Sequence, residues 1–314
     1  MSTRTAARPA AVRSTGYSPR QRFLGLLVLT AFLGTTISVF QTSAATTAFR
    51  SRLPSQALSR LTSGDSLFPV PSLPYFADKR NGLNQIFVKR SWGWVTGIFI
   101  FHSLALFLTA PLLTVSSSKK HDSPTPSQPA IQLSSAAKTP FNLLTTSLRR
   151  YLLSSLFWFY LTQKTWFGTT TGPSISHRIL RTSGAICVPS TLSSTSTSPS
   201  AADGAICTGA TGEYWRGGHD VSGHSFMMIH CSMFLFELVH PLLPSLLPAY
   251  FASTSTRTQP RKLPLAVQIS AWTSIAVMGL CWWMLLMTSL FFHSPQEKLS
   301  GVAFGLLGWF VGGL

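Results

Sequence analysis

Glu213-Tyr-Trp-Arg-Gly-Gly-His-Asp-Val-Ser-Gly-His-Ser-Phe-Met-Met-Ile-His-Cys-Ser-Met-Phe-Leu-Phe-Glu237 puts a cluster of polar chemistry at the mouth of an apolar segment. Val221–His240 is long enough to rise about 30 Å as a helix, one hydrocarbon thickness. Strongly polar groups are costly at membrane depth, and those that occur there usually mark function. Here His219, Asp220 and His224 arrive within six positions. Ser222 suits a helix N-cap, and Gly223 lets another group approach the backbone closely. His224 then falls in the first turn, at the membrane surface and near the positive end of the helix dipole, where a phosphate is favoured beside the imidazole. The stretch reads as an interfacial or intramembrane site for an anionic substrate.

The composition agrees. Of 314 residues 45% are hydrophobic and only 11% charged, against about 25% charged in a soluble domain. The apolar residues come in blocks separated by Ser/Thr/Pro-rich loops, the pattern of a polytopic membrane protein. The formal charge of +17 raises nucleic-acid binding as one reading. The basic residues are spread over tails and loops, however, with no reading helix, finger or aromatic-basic repeat. Anionic headgroups and anionic lipid substrates account for the charge instead, and no nucleic-acid partner is expected. Cys231 and Cys281 fall in apolar segments and read as packing residues. Cys187 and Cys207 share a polar loop, where a disulfide and two free thiols both stay open.

In chain order, residues 1–22 are basic and free of acid, the first acidic residue being Asp65. That start fits a mitochondrial presequence, or a basic cytosolic tail held by a signal anchor. The apolar run Phe23–Phe40 follows at once and favours the second reading. Further spans are expected at 92–115, 151–168, 221–240, 265–292 and 301–314, giving an all-α membrane domain over 23–314 with about six transmembrane helices. The loops 116–140 and 169–212 read as flexible. Pro241, Pro244 and Pro248 are expected to stop span four. The last run, 301–314, rises only about 21 Å. Lys and Arg divide almost evenly between the two faces, so the positive-inside rule does not orient the chain. The alternation does put the start of span four, with His224, and the end of span five, with His293, on one face.

Two imidazoles meeting at one interface suit phosphoryl transfer: one attacks phosphorus while the other protonates the leaving oxygen. The scheme requires no metal and no cofactor. A metal site from His219, His224, His230 and His240 is disfavoured, because His224 and His230 point about 120° apart on a helix and His240 lies at the other face. Glu297, four residues after His293, can fix the tautomer of that ring if the turn is helical. His230 and Glu237 share a face two turns apart, which makes Glu237 a structural partner. His219, Asp220, Ser222, Arg216, Glu297 and Lys298 are the candidates for binding substrate or supporting the histidines, and Lys79 and Arg80 lie on the same face.

The motifs carry a family resemblance. Ser222-Gly-His-Ser-Phe226 is similar to the Ser-Gly-His signature of the lipid phosphate phosphatase superfamily. Trp215-x-x-x-His-Asp-Val-Ser-Gly-His-Ser-Phe226 resembles the fat storage-inducing transmembrane (FIT) family. So do Lys79-Arg-Asn-x-Leu-Asn-x-x-Phe-Val-Lys89, Phe292-His-x-x-x-x-Lys298 and Phe304-Gly-Leu-Leu-x-Trp309. The resemblance implies a lipid phosphatase-like core and a multi-pass enzyme of the endoplasmic reticulum (ER). It would cleave fatty acyl-CoA to acyl-4′-phosphopantetheine and adenosine 3′,5′-bisphosphate, supporting ER lipid balance and lipid-droplet formation. By position His224 takes the general-acid role and His293 the nucleophile role, both luminal. The superfamily's Arg-bearing motif ahead of the nucleophile is missing, since Met284–Phe292 contains no Arg, so the phosphate-binding residues stay unassigned. Two alternatives remain at this level: a phosphatidate or lysophosphatidate phosphatase, and a non-catalytic protein that binds neutral lipid.

Overall fold

One helix, Gly223–Val239, is apolar on every side: each of its residues except Gly223, His224 and Glu237 is buried. A helix without a polar face has to be enclosed, and the rest of the chain encloses it. The computed structural model describes residues 17–52, 75–77, 81–118, 140–163, 165–166, 169–170, 174–188, 214–247 and 263–314. In chain order the helices are α1 (Pro19–Arg52), α2 (Ser91–Ser118), α3 (Pro140–Thr162), α4 (Ile175–Thr182), α5 (Gly223–Val239), α6 (Leu243–Leu246), α7 (Leu265–Phe291) and α8 (Pro295–Gly313). α1 lies against α7, α7 against α2, α2 against α3, α3 against α8 and α8 against α1, a closed ring with α5 in its centre. The described residues also hold two small antiparallel ladders, Thr165–Trp166 with Thr169–Thr170 and Ile186–Val188 with Tyr214–Arg216.

Among the described residues four helices are long and apolar enough to cross a membrane: Pro19–Gln41, Leu83–Thr109, Gly223–Leu246 and Leu265–Phe291. The protein is a helical, multi-pass membrane protein. Between apolar helices in lipid, close packing and interhelical hydrogen bonds do most of the holding. The His102 ring bonds Ser270 across α2 and α7 at 2.9 Å, and the Trp282 indole donates to Thr30 Oγ1 across α7 and α1 at 2.9 Å. α8 approaches α5 through glycine. A methyl group on Gly305 would lie 2.9 Å from Ile229 Cβ, and one on Gly308 would lie 2.6 Å from His230 Nδ1.

Several boundaries differ from the sequence reading. α3 begins eleven residues before the expected 151 and ends at Thr162, short of 168, because the chain turns into a short ladder at Thr165. α8 begins at Pro295 rather than 301: Ser294 and Glu297 form a capping box, and Pro295 occupies the first turn. Its 19 residues rise about 28 Å instead of about 21. Pro241 and Pro244 do not stop the helical path. Each sits in the first turn of a new short segment, His240–Leu242 and then α6, where a missing N–H costs nothing. The loop 169–212, expected to be flexible, carries α4 and one strand of the second ladder. Residues 1–16, most of the 116–140 loop, Lys79, Arg80 and Cys207 lie outside the described residues, as does any Cys187–Cys207 bond. Cys231 and Cys281 are buried free thiols, as packing residues should be. Glu237 is structural, as expected, but its partners are Arg20, Arg150 and Trp309 rather than His230. The His230 ring instead stacks on Trp92 and bonds the Ser154 carbonyl.

Candidate active site

The site is built where two helices begin side by side. α5 is capped by Ser222, whose hydroxyl accepts from the Ser225 N–H, and α8 by Ser294. The Ser222 N–H donates to the Glu297 carbonyl at 3.1 Å, tying the two N-termini together. Both dipoles therefore present their positive ends to the same space, a setting that favours an anion.

His224 stands in the first turn of α5. His293 lies in the three-residue connection from α7 to α8, with φ at 60°. A left-handed backbone is uncommon for a residue with a side chain, and such positions concentrate at functional sites. The two rings come to 6.3 Å between centroids, tilted by 55°, and Phe292 stacks on His224 at 6.0 Å. A reacting phosphoryl group needs about 3–3.5 Å on the attacked side and about 2.6–3.2 Å on the protonated side, so the gap accommodates one.

Each imidazole has a partner that orients it. His293 Nδ1 lies 3.5 Å from Glu297 Oε2, which leaves Nε2 on the side of the ring away from that carboxylate. Burial raises the Glu297 carboxyl, but the Ser294 N–H and hydroxyl, the His293 ring and the Asp220 N–H outweigh it and hold the group below the ordinary carboxylate value. His224 Nε2–H donates to Asn84 Oδ1 at 2.6 Å. Asn84 is 2% exposed and its own N–H donates to Asn81 Oδ1, inside a π-helical turn, Leu83–Phe87. Turns of this kind are frequent at functional sites. On one side of His224 a cleft of about 250 Å³ opens between Lys89, Arg90, Trp92, Trp158 and Gln163.

The sequence profile described as Fat storage-inducing transmembrane protein, FIT, matches residues 72–312. This chain belongs to the FIT family. The FIT match takes in every group described above, from Asn81 to Glu297. Among relatives, Acyl-coenzyme A diphosphatase fit1 of Schizosaccharomyces pombe is 28% identical over 237 residues, covering 76% of this chain and 72% of its own length. Acyl-coenzyme A diphosphatase FITM2 of Xenopus laevis is 26% identical over 278 residues, 87% of this chain and 85% of its own. The human protein of the same name is 31% identical over 99 residues, 32% of this chain and 34% of its own length. No solved structure matches.

The other expected residues of this FIT protein fall in different places. Ser222 is fully buried and acts as a cap rather than a substrate ligand. His219 Nε2–H donates to Ser300 Oγ at 2.9 Å, and its N–H to Ser183 Oγ at 2.6 Å, bracing the approach to α5. Asp220 has an exposed side chain, and its backbone serves Glu297. Arg216 contributes a backbone pairing with Ile186 in the second ladder. Lys298 is 2% exposed and donates to the Ser289 carbonyl at 2.7 Å. Its ammonium is turned into the last turn of α7, away from water. Sequence reasoning missed Asn84. The signal available was a pair of polar asparagines, Asn81 and Asn84, at the threshold of an apolar run.

Proposed function

We propose that this protein is an ER membrane hydrolase that splits the diphosphate of fatty acyl-CoA into acyl-4′-phosphopantetheine and adenosine 3′,5′-bisphosphate. The observation that carries the reading is the 6.3 Å pairing of His224 and His293 between two helix N-termini. The relatives named acyl-coenzyme A diphosphatase supply the substrate. In this scheme His293 Nε2 attacks one of the two phosphorus atoms, forming a P–N bond as the bond from that phosphorus to the bridging oxygen breaks. The leaving phosphate oxygen takes its proton from His224. Water then attacks the same phosphorus, gives a proton to His224 and frees His293. Glu297 keeps the proton of His293 on Nδ1, Asn84 holds the His224 ring, and the N–H groups opening α5 and α8 meet the negative charge that builds on phosphorus.

The architecture we propose has six spans, α3 and α8 joining the four helices that qualify by length and hydropathy, on a lipid phosphatase-like core. Both termini then share the cytosolic side, with 1–22 as a basic tail, and the histidines open to the lumen, where the enzyme would serve ER lipid balance and lipid-droplet formation. Purified protein in detergent with oleoyl-CoA tests the chemistry by mass spectrometry of the products. Acyl-phosphopantetheine and adenosine bisphosphate in equal amounts are expected. Inorganic phosphate released from phosphatidate, with oleoyl-CoA left intact, would replace this reading by a lipid phosphatase.

A further inference from the structure

A second polar centre occupies the far end of α5. Glu237 lies thirteen residues beyond His224, about 20 Å along the helix. Its carboxylate, 5% exposed, receives three helices at once. Arg20 of α1 makes a two-point contact, Nε to Oε1 at 2.6 Å and a terminal N–H to Oε2 at 2.6 Å. Arg150 of α3 reaches Oε2 at 3.2 Å, and the Trp309 indole of α8 donates to Oε1 at 3.2 Å. One carboxylate against two guanidiniums leaves one positive charge in excess.

That excess is poorly satisfied by the protein. The Arg150 side chain is 19% exposed, and among the described residues Glu237 is its only hydrogen-bonding or ionic partner. A guanidinium has five N–H donors in a fixed fork, and leaving them unpaired away from water is costly. Thr146 and Ser147 stand four and three residues before Arg150, on the same face of α3. Their hydroxyls have no hydrogen-bond partner among the described residues. All of these groups line one cleft of about 120 Å³, with Leu143 and Phe234 on its apolar wall. A single water needs only about 10–15 Å³ measured in this way, so the space takes a polyatomic group.

We propose that this cleft is a binding site for a phosphate group, held by the Arg150 and Arg20 guanidiniums and by the Thr146 and Ser147 hydroxyls. A tetrahedral oxyanion matches donors that arrive from two helices. It also supplies the charge that the pair of arginines lacks, through the charge-assisted bonds for which arginine is suited. The phosphate belongs either to a phospholipid headgroup or to free phosphate in solution. The site is separate from the two histidines and does not rest on the hydrolase reading.

The test uses the full chain in neutral detergent and follows its thermal unfolding, because a ligand that binds only the folded state raises the Tm with saturation. The probes are dihexanoyl phosphatidic acid, the matching diacylglycerol, inorganic phosphate, and sodium chloride at equal ionic strength. Ser147→Leu fills the cleft without touching the ion pairs, and Arg150→Gln removes the excess charge. Thr146→Val removes one hydroxyl at nearly constant volume and serves as the mild variant should the others fail to fold. A saturable Tm rise is expected with phosphatidic acid and not with diacylglycerol. Its midpoint should weaken at least tenfold in Ser147→Leu and Arg150→Gln, and several-fold in Thr146→Val. The same behaviour with inorganic phosphate assigns the site to the free ion as well, and its absence there assigns it to the lipid. A response unchanged in all the variants that fold, or no saturable response to either phosphate, overturns the proposal.

Discussion

Asn84 shows what a single side chain does for the reaction. Its buried carbonyl oxygen receives His224 Nε2–H, so in the proposed mechanism it sets where the ring of the general acid lies rather than touching phosphorus. Truncation to alanine should lower kcat about 10–100-fold with little change in KM, the scale of effect expected from a small misplacement of a reacting group. Asn84→Asp should restore the contact and place a negative charge beside the ring. That charge favours the imidazolium, so the alkaline limb of the kcat/KM profile should move to higher pH. A profile identical to wild type would leave Asn84 a packing residue. Glu297 makes the complementary case. Its carboxyl is held below the ordinary value, so its contribution to stability is complete above that value and is lost as pH falls through the lower, folded-state value. Glu297→Gln should therefore flatten the fall of Tm with acidification, and an equal slope in both proteins would contradict the assignment. A capped helix start pointed to His224, the alternation of spans brought in His293, and the i, i+4 spacing added Glu297; all three are patterns that sequence order reports. Asn84 was not legible in that way. Its partner lies 140 residues away in the chain, and no periodicity reports a contact at that distance.

At the level of the element, α8 matters most, because it carries Glu297 and packs on α5 through small residues. Gly308→Ala would press a methyl group onto the His230 ring and should cost about 1–3 kcal/mol, the usual penalty of overpacking a filled interface. Gly279, in α7, has nothing within 4 Å of the same added methyl. Gly279→Ala should instead raise stability by about 0.5–1 kcal/mol through helix propensity. Unfolding followed by tryptophan fluorescence in detergent separates the two, and equal shifts in the same direction would contradict this packing. The early start of α8 was written in Ser294-Pro-Gln-Glu297, a capping-box sequence ahead of an apolar run. The length of the apolar run alone concealed it. The passage through Pro241 and Pro244 was less legible. A proline ends a helix or begins the next turn according to whether the chain re-enters a packed layer, and that depends on the surrounding ring of helices.

For the whole molecule, the ring around α5 converts sequence-distant motifs into one site. It also separates two anion-favouring centres by about the length of that helix, one at each end. In the six-span topology proposed above, the connection from α3 to α5 shares the face of the histidines and the connection from α2 to α3 takes the other. A glycosylation acceptor placed in 189–199 should therefore be modified in the ER, and one placed in 121–138 should not. The reverse pattern would turn the histidines to the cytosol. The apolar blocks made the helical, membrane-embedded class legible from composition. The arrangement of a ring with one enclosed helix was foreshadowed only by the missing polar face of Gly223–Val239. The central claim remains that His224 and His293 act on one diphosphate. The most direct measurement is the rate of adenosine 3′,5′-bisphosphate release from oleoyl-CoA by wild type, His224→Ala and His293→Ala, each shown to unfold at a similar temperature. Loss of at least about 10²–10⁴-fold in both variants is predicted, and wild-type turnover in either would contradict the account.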